Sequence, residues 1–374
     1  MTRSYIVEIK ILKHRPNFLK YREIEDFLRG VLHCKCSLIQ MKLSIGIVGL
    51  PNVGKSTLFN LLTKQEVLVA NYPFATIDPN VGIVPVPDKR LSQLTEISKS
   101  KKTIPAVVEF YDIAGLVKGA HGGEGLGNQF LSHIREAQAI VHIVRCFSDE
   151  NIIHVEHSVD PLRDLETINT ELLMKDLETL NKRVAKAEGE AKTGDKQKVK
   201  DFEVLQSAQK FLAAGNLLTL MPQEIQREPI IKELQLLTGK PQIFLLNGTG
   251  EIPEAVLYRI KALKSDYLVM DLAEAYDLTP LITKAYEVLG LISFFTTGED
   301  ETRAWTVERG AKAPQAVGVI HTDFEHKFIR AEIVSYDDLV SSGGWSQAKQ
   351  KGKMRLEGKD YEVKDGDVIV VRHG

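Results

Sequence analysis

The chain has 374 residues, and because single cores stop growing at roughly 250 to 300 residues, two or three domains are expected. A hydrophobic fraction of 43% and a charged fraction of 26% exclude global disorder and a collagen-like repeat. With 48 basic against 50 acidic side chains the net charge is −2, so no overall attraction to nucleic acid or membrane follows, and any basic patch is local.

Three cysteines, Cys34, Cys36 and Cys146, cannot build a disulfide framework, which points to a reducing compartment and hence the cytoplasm. The longest apolar runs, residues 139–144 and 368–371, fall far short of the roughly 20 residues that span a bilayer. The first forty residues carry eight Lys/Arg and four Asp/Glu but no continuous apolar stretch, which argues against a secretory signal.

Residues 42–49 (KLSIGIVG) read as a short buried strand ending at a glycine turn, with residues 55–62 as the following helix. A second strand is expected at residues 106–111, a helix at 128–137 and a third strand at 139–147. Strands alternating with helices imply a parallel sheet covered on both faces. From about residue 160 to 220 the pattern becomes helical. Leu173, Leu177, Leu180, Val184 and Ala187 step by four, three, four and three, a coiled-coil-like seam. A break at Thr193-Gly194-Asp195 precedes a second helical run through Phe202, Leu205 and Leu212, which suggests an antiparallel hairpin inserted in the α/β domain; an ordinary amphipathic pair on the main core is the alternative. Strands are expected again at residues 242–246 and 267–270, with a helix at 278–289. Beyond Leu291 the chain is strand-rich and glycine-punctuated, with strands expected at residues 316–320, 328–334, 361–363 and 368–371, the makings of a separate small α+β domain.

The strongest motif is Gly49-Leu50-Pro51-Asn52-Val53-Gly54-Lys55-Ser56, which fits G-x-x-x-x-G-K-[ST] between an expected strand and an expected helix. Glycines let backbone N–H groups close on phosphate oxygens, Lys55 reaches the β- and γ-phosphates, and the Ser56 hydroxyl ligates Mg²⁺. Residues Asn52 to Thr57 thus form the nucleotide-binding stretch. A second carboxylate is needed at the end of a neighbouring strand, and Asp112 stands there in Asp112-Ile113-Ala114-Gly115; its D-x-x-G spacing lets the Gly115 N–H approach the γ-phosphate. Thr76, in the polar loop between the two motifs, is the candidate second hydroxyl ligand for Mg²⁺. The glycine-rich residues 119–127 do not follow a strand and make a poor dinucleotide fingerprint. Leu116 occupies the place of a water-positioning glutamine, so unassisted hydrolysis should be slow, and His121 reads as a solvated loop histidine before a catalytic one.

Guanine-selective members of this class carry N-K-x-D after a strand. Here the corresponding stretch is Asn247-Gly248-Thr249-Gly250-Glu251, so Asn247 and Gly248 are in place for the base while the lysine and aspartate are absent. That argues for adenine.

The stretches MKLSIGIVGLPNVGKSTLFN, NYPFATIDPNVGIVPVPDKRL, DIAGLVKGAHGGEGLGNQFLSHIREA and YEVKDGDVIVVRHG make the chain resemble the YchF family of Obg-like ATPases, within the translation-factor-related P-loop GTPases. The resemblance runs from Met41 to the end. It implies an α/β P-loop G domain over residues 41–150 and 235–290, a helical coiled-coil insertion over 151–234, and a TGS domain, a ubiquitin-like β-grasp α+β fold, over 291–374. It further implies ATP hydrolysis in preference to GTP, Mg²⁺ dependence, stimulation by K⁺, and association with the ribosome, with the TGS domain as a candidate contact to rRNA or tRNA and no DNA partner. Asn52 matches the P-loop asparagine that helps hold K⁺ in related enzymes, and Leu116 matches the family's hydrophobic substitution for glutamine. Two departures stand out. The family reads N-x-x-E at the base loop where this chain has Gly250, with Glu251 one residue later, and the family begins at the methionine aligned with Met41. Residues 1–40 are therefore an extension or, the favoured reading, a start codon assigned too early.

Residues 346–359 carry Lys349, Lys351, Lys353, Arg355 and Lys359 against Glu357, which suits either a solvated loop or a phosphate backbone. Cys146 reads as a small buried hydrophobe in preference to a redox switch. The expected function is an ATP–Mg²⁺ switch in which Lys55 and Gly115 serve phosphoryl transfer to water and the loops of Thr76 and Gly115 respond to the γ-phosphate. A GTPase and a ribosome-binding scaffold with structural nucleotide are the alternatives.

Overall fold

The computed structural model describes residues 44–64, 81–112, 134–156 and 158–373. Residues 1–40, Thr76, Gly115, Leu116, residues 119–127 and the first part of the helix expected at 128–137 lie outside the described residues.

In chain order the first half comprises β1 (Ser44–Val48), α1 (Lys55–Lys64), β2 (Val81–Pro85), α2 (Lys89–Ser98), β3 (Lys102–Ile104), β4 (Val107–Asp112) and β5 (Ala139–Arg145). Two long helices follow, α3 (Pro161–Ala191) and α4 (Lys196–Ala213), then β6 (Gln242–Asn247), α5 (Glu254–Ala262), β7 (Asp266–Met270) and α6 (Thr279–Val288). The last part holds β8 (Leu291–Thr297), β9 (Glu301–Glu308), α7 (Ala313–Gly318), β10 (Phe328–Ser335), α8 (Tyr336–Ser342), α9 (Trp345–Gln350), β11 (Arg355–Glu357) and β12 (Asp367–His373).

The first sheet has the order β2-β4-β1-β5-β6-β7 and is parallel except for its edge strand β2, which runs antiparallel to β4. Its central strands are mostly apolar, with every residue of β1, β5 and β6 buried, as a sheet covered on both faces requires. β1 lies between β4 and β5, so the connections leaving it diverge at the sheet centre, where open α/β sheets place ligands.

The expected helical pair is present. Asp160 caps α3 by accepting from the Arg163 N–H, and Pro161 sits in the first turn, where its missing N–H costs nothing. The turn uses Gly194 at φ 78°, and Asp195 caps α4 through the Gln197 and Lys198 N–H groups. The stepped residues Leu173, Leu177, Leu180, Val184 and Ala187 all face one apolar cluster with Leu205, Ala208 and Leu212, and Gln209 donates to Asn181 across the pair. Deeper in the protein, Asp176 on α3 is fully buried and accepts from the Leu237 N–H, the Thr238 N–H and the Thr238 hydroxyl at 2.7–2.8 Å. Desolvation pushes its carboxyl up despite those three donors. No helix among the described residues is long and apolar enough to cross a membrane.

The second sheet has the order β11-β10-β12-β8-β9-β3. Its edge strand β3 comes from the first part of the chain and pairs in parallel with β9, so the C-terminal sheet is completed by residues 102–104. Arg90 of α2 reinforces the junction by pairing with Asp365 at 2.7 Å and lying 4.9 Å from the Phe295 ring centre, while the Tyr336 hydroxyl meets Gln93. One apolar cluster runs from Leu91 and Leu94 to Phe295, Leu339 and Val368. Two of the expected C-terminal strands are absent. Residues 316–320 fall in and just after α7, where Pro314 opens the helix, the Gln315 side chain accepts from the Lys312 N–H, and Ala313, Ala316 and Val317 are buried. At residues 361–363 only an isolated bridge between Lys312 and Glu362 forms. The strands at β8 and β9 and the helices α8 and α9 were not anticipated.

Candidate nucleotide-binding site

The turn after β1 is shaped by residues that tolerate positive φ: Gly49 at 155°, Asn52 at 62° and Gly54 at 109°. A Cβ on Gly49 would stand 2.6 Å from the Ile143 carbonyl oxygen, and one on Gly54 would stand 2.5 Å from the Asn247 Nδ2, so both glycines are demanded by close approach as well as by φ. The Leu58 N–H then bonds to the Gly54 carbonyl at 2.9 Å and α1 begins. Its first turn holds no acidic residue, and Ser56 and Thr57 are exposed there. The positive end of the helix dipole thus lies at the centre of the sheet edge, an arrangement suited to an anion.

Lys55 is only 8% exposed. Its amine curls back over the loop and donates to the carbonyls of Gly49 at 3.1 Å and Leu50 at 2.7 Å, so the cation is held above the same turn that presents the N–H groups. Asp112 closes β4, in register with Ile47 of the adjacent β1, which places it two residues short of Gly49 and beside the phosphate loop. The structure therefore brings Asn52, Val53, Gly54, Lys55, Ser56, Thr57 and Asp112 to one sheet edge.

Asn247 makes bonds within the fold that its position in a base-recognition loop does not reveal. It is 4% exposed at the end of β6; its Nδ2 donates to the Val53 carbonyl at 2.8 Å and its Oδ1 accepts from the Leu272 N–H at 3.0 Å. The amide ties the phosphate loop to the turn after β7, using one of its two N–H donors and its oxygen. Leu272 is the partner that sequence reasoning missed; only its place two residues after a strand hinted at it. Gly248, at φ 149°, donates to the Met270 carbonyl at 3.1 Å, and a Cβ there would stand 2.8 Å from the Cys146 carbonyl oxygen. Thr249, Gly250 and Glu251 are exposed beyond it. The Cys146 thiol is pushed up to about 11 by burial and by the nearby Asp164 charge, which leaves it protonated and unreactive at neutral pH, as a small packing residue would be.

Within the basic C-terminal stretch, Lys353 pairs with Asp338 at 3.2 Å, and Arg355 with Asp367 at 3.3 Å and Glu357 at 3.5 Å. Part of the charge anticipated for a phosphate backbone is thus already engaged within the fold.

Comparison with known proteins agrees with this geometry. A family model described as "50S ribosome-binding GTPase" matches residues 44–182, and the YchF-GTPase C-terminal model, described as a protein of unknown function, matches residues 291–374. The chain is similar to the ribosome-binding ATPase YchF of Bacillus subtilis, with 47% identity over 363 residues covering 89% of this chain and 99% of the relative. The ribosome-binding ATPase YchF of Escherichia coli O157:H7 is 46% identical over 88% of this chain and 98% of its own length. Among solved structures, that of the Schizosaccharomyces pombe YchF GTPase superposes with a TM-score of 0.72 at 36% identity, covering 88% of this chain and 98% of the other. A phosphate loop at the sheet centre and near-complete coverage of relatives that share one name lead to one conclusion: the chain belongs to the YchF family.

Proposed function

We propose that this protein is a ribosome-associating P-loop ATPase that uses nucleotide state as a switch. The observation that carries the reading is the Gly49–Ser56 turn, with the Lys55 amine held by the Gly49 and Leu50 carbonyls at the open start of α1. Ribosome association is supported by the names of the relatives in Bacillus subtilis and Escherichia coli, which match nearly the whole of their length. A ribosome partner also implies the cytoplasm.

Phosphoryl transfer to water would rely on Lys55 and on the Gly115 loop. Ser56, Thr76 and Asp112 would hold Mg²⁺; the exposed Ser56 hydroxyl at the start of α1 and the place of Asp112 at the end of β4 fit a hard cation that takes oxygen ligands. When bound, the ion neutralises charge on the phosphates. Asn52 is the residue proposed to hold K⁺ as an activator, by its match to the P-loop asparagine of related enzymes, and the lysines of the C-terminal stretch remain candidates for an RNA contact. Adenine is favoured because Gly248, Thr249 and Gly250 offer no carboxylate to the guanine N1 and N2 donors. The solved Schizosaccharomyces pombe relative is called a GTPase, and the family model for residues 44–182 carries the same word, so guanine is the second reading. Titration of ATP and GTP side by side, with Mg²⁺ and K⁺, followed by turnover of each with and without ribosomes, tests both. Tighter ATP binding with ribosome-linked turnover supports the ATPase; tighter GTP binding transfers the activity to guanine; binding of ATP with no turnover in either condition favours the scaffold.

A further inference from the structure

The loop that follows β5 touches the phosphate loop. Asn52 is the only non-glycine residue between Gly49 and Ser56 with a positive φ, 62°, and its Nδ2 donates to the Ile153 carbonyl at 3.1 Å. The Ile153 side chain is 72% exposed, so what holds this residue in place is its main chain. That main chain is anchored on both sides. Arg145, at the end of β5 and 1% exposed, directs Nε to the Phe147 carbonyl at 3.1 Å, one terminal nitrogen to Ile152 at 3.0 Å and the other to Asp149 at 3.2 Å, with its guanidinium 4.5 Å from the Phe147 ring centre. A buried cation whose fork reaches three carbonyls spread over six loop residues, Phe147 to Ile152, leaves the loop little freedom.

On the other side, the ring of His154 is buried against α3. Its Nδ1 accepts from the Glu156 N–H at 3.1 Å, so the proton sits on Nε2, which donates to Asp164 at 2.8 Å. Asp164 lies in the first turn of α3 and is also gripped by Arg163 at 3.1 Å. The Ile153 carbonyl is thus fixed between two buried anchors and is aimed at the one loop residue whose backbone is held in the left-handed region by something other than the absence of a Cβ.

We propose that Arg145 and His154 are positioning residues for nucleotide binding: through the Ile153 carbonyl and the Asn52 amide they hold the phosphate loop in the conformation that receives the triphosphate. This inference rests on the nucleotide-binding reading above and adds to it residues outside the motif. Releasing the clamp frees Asn52 and the N–H groups around it, so nucleotide must reorder the loop on binding. Because the loss is that of one hydrogen bond's hold, the expected weakening is about three- to ten-fold.

The test compares the full chain with Arg145→Met, Arg145→Lys, His154→Leu, Asn52→Ala, the Arg145→Met/Asn52→Ala double variant and, as a control in the same loop, Val155→Ala, each first checked by thermal melting. Two readouts are taken: the Kd for a fluorescent ATP analogue with Mg²⁺, and the NMR signal of the Asn52 side-chain amide, identified by its loss in Asn52→Ala. Arg145→Met and His154→Leu should each weaken binding three- to ten-fold and shift the Asn52 amide signal, Arg145→Lys should do so less, and Val155→Ala should match the parent. In the Asn52→Ala background, Arg145→Met should add less than two-fold. A folded Arg145→Met protein with parental affinity and an unshifted amide overturns the proposal, as does a full, additive effect in the Asn52→Ala background, which would mean that Arg145 merely packs the loop. If Arg145→Met does not fold, His154→Leu decides by the same criteria. A parent that binds no nucleotide overturns the ATPase reading, and the amide signal then still decides whether the clamp exists.

Discussion

Replacing Asn247 separates two roles that a base-loop asparagine can have. In the structure its Nδ2 donates to the Val53 carbonyl at 2.8 Å and its Oδ1 accepts from the Leu272 N–H at 3.0 Å, with Val53, Asn247 and Leu272 all buried. Asn247→Ala leaves one buried carbonyl and one buried N–H without partners. At about 1–3 kcal/mol for each orphaned group, the expected loss is about 2–6 kcal/mol of unfolding free energy. Asn247→Asp keeps the acceptor for Leu272 but sets a carboxylate oxygen against the Val53 carbonyl oxygen, so it should lose at least the Val53 half, about 1–3 kcal/mol, with added repulsion. Urea denaturation of parent and variants measures both losses. In parallel, ATP and GTP titrations should show the two affinities falling by similar factors, because the damage is to the loop that holds phosphates common to both. If either variant keeps parental stability while losing ATP alone, Asn247 reads the base and the bracing role is wrong.

Under the proposed role of Lys55 as the cation that meets developing phosphate charge, Lys55→Ala should lower turnover about 100-fold or more, and product release in a phosphate assay measures this; turnover at the parental rate would refute the assignment of the phosphate site. Arg90→Ala should cost about 1–2 kcal/mol in urea unfolding by removing the half-buried pairs with Asp88 and Asp365, and the difference from the parent should shrink in high salt. The Lys240 amine, which donates to the Arg135 and Ala137 carbonyls, is pushed down to about 8 by burial. Between pH 8 and about 10.5 the unfolded chain therefore holds a proton that the folded protein lacks, so this group adds stability as pH rises through that window and imposes a constant cost below it. Cys146, raised to about 11 from 9.0, acts in the opposite sense above pH 9, so the diagnostic is the difference between parent and Lys240→Met from pH 8 to pH 9. That difference should move in the parent's favour with rising pH, and a flat difference would show that Lys240 titrates normally.

Much of the site was legible because its chemistry is local. A glycine turn between an apolar strand and a helix must expose N–H groups, and the spacing of Gly49, Gly54, Lys55 and Ser56 leaves few other uses for such a turn. The alternating strands and helices likewise set the covered parallel sheet, and the four-three stepping of Leu173 to Ala187 marked the face that α3 buries. Local pattern failed at residues 316–320. There the first part of an apolar run entered a helix and the rest the turn after it, because Pro314 and the Gln315 cap start a helix that buries Ala316 and Val317.

The sequence by itself determined the phosphate loop, the alternating architecture and, through extended motifs, the family, since each depends on residues close together in the chain. Only the tertiary structure decided what Asn247 does with its amide, that β3 completes the C-terminal sheet, and that Arg145 reaches the phosphate loop through Ile153 and Asn52. The physical reason is that a hydrogen bond or strand pair between segments separated by about a hundred residues or more leaves no periodicity in either one; Asn52 and Ile153 are 101 residues apart, and Asn247 and Val53 are 194 apart. Such contacts are selected by the packed sheet that brings the strand ends together, and they exist only once it has formed.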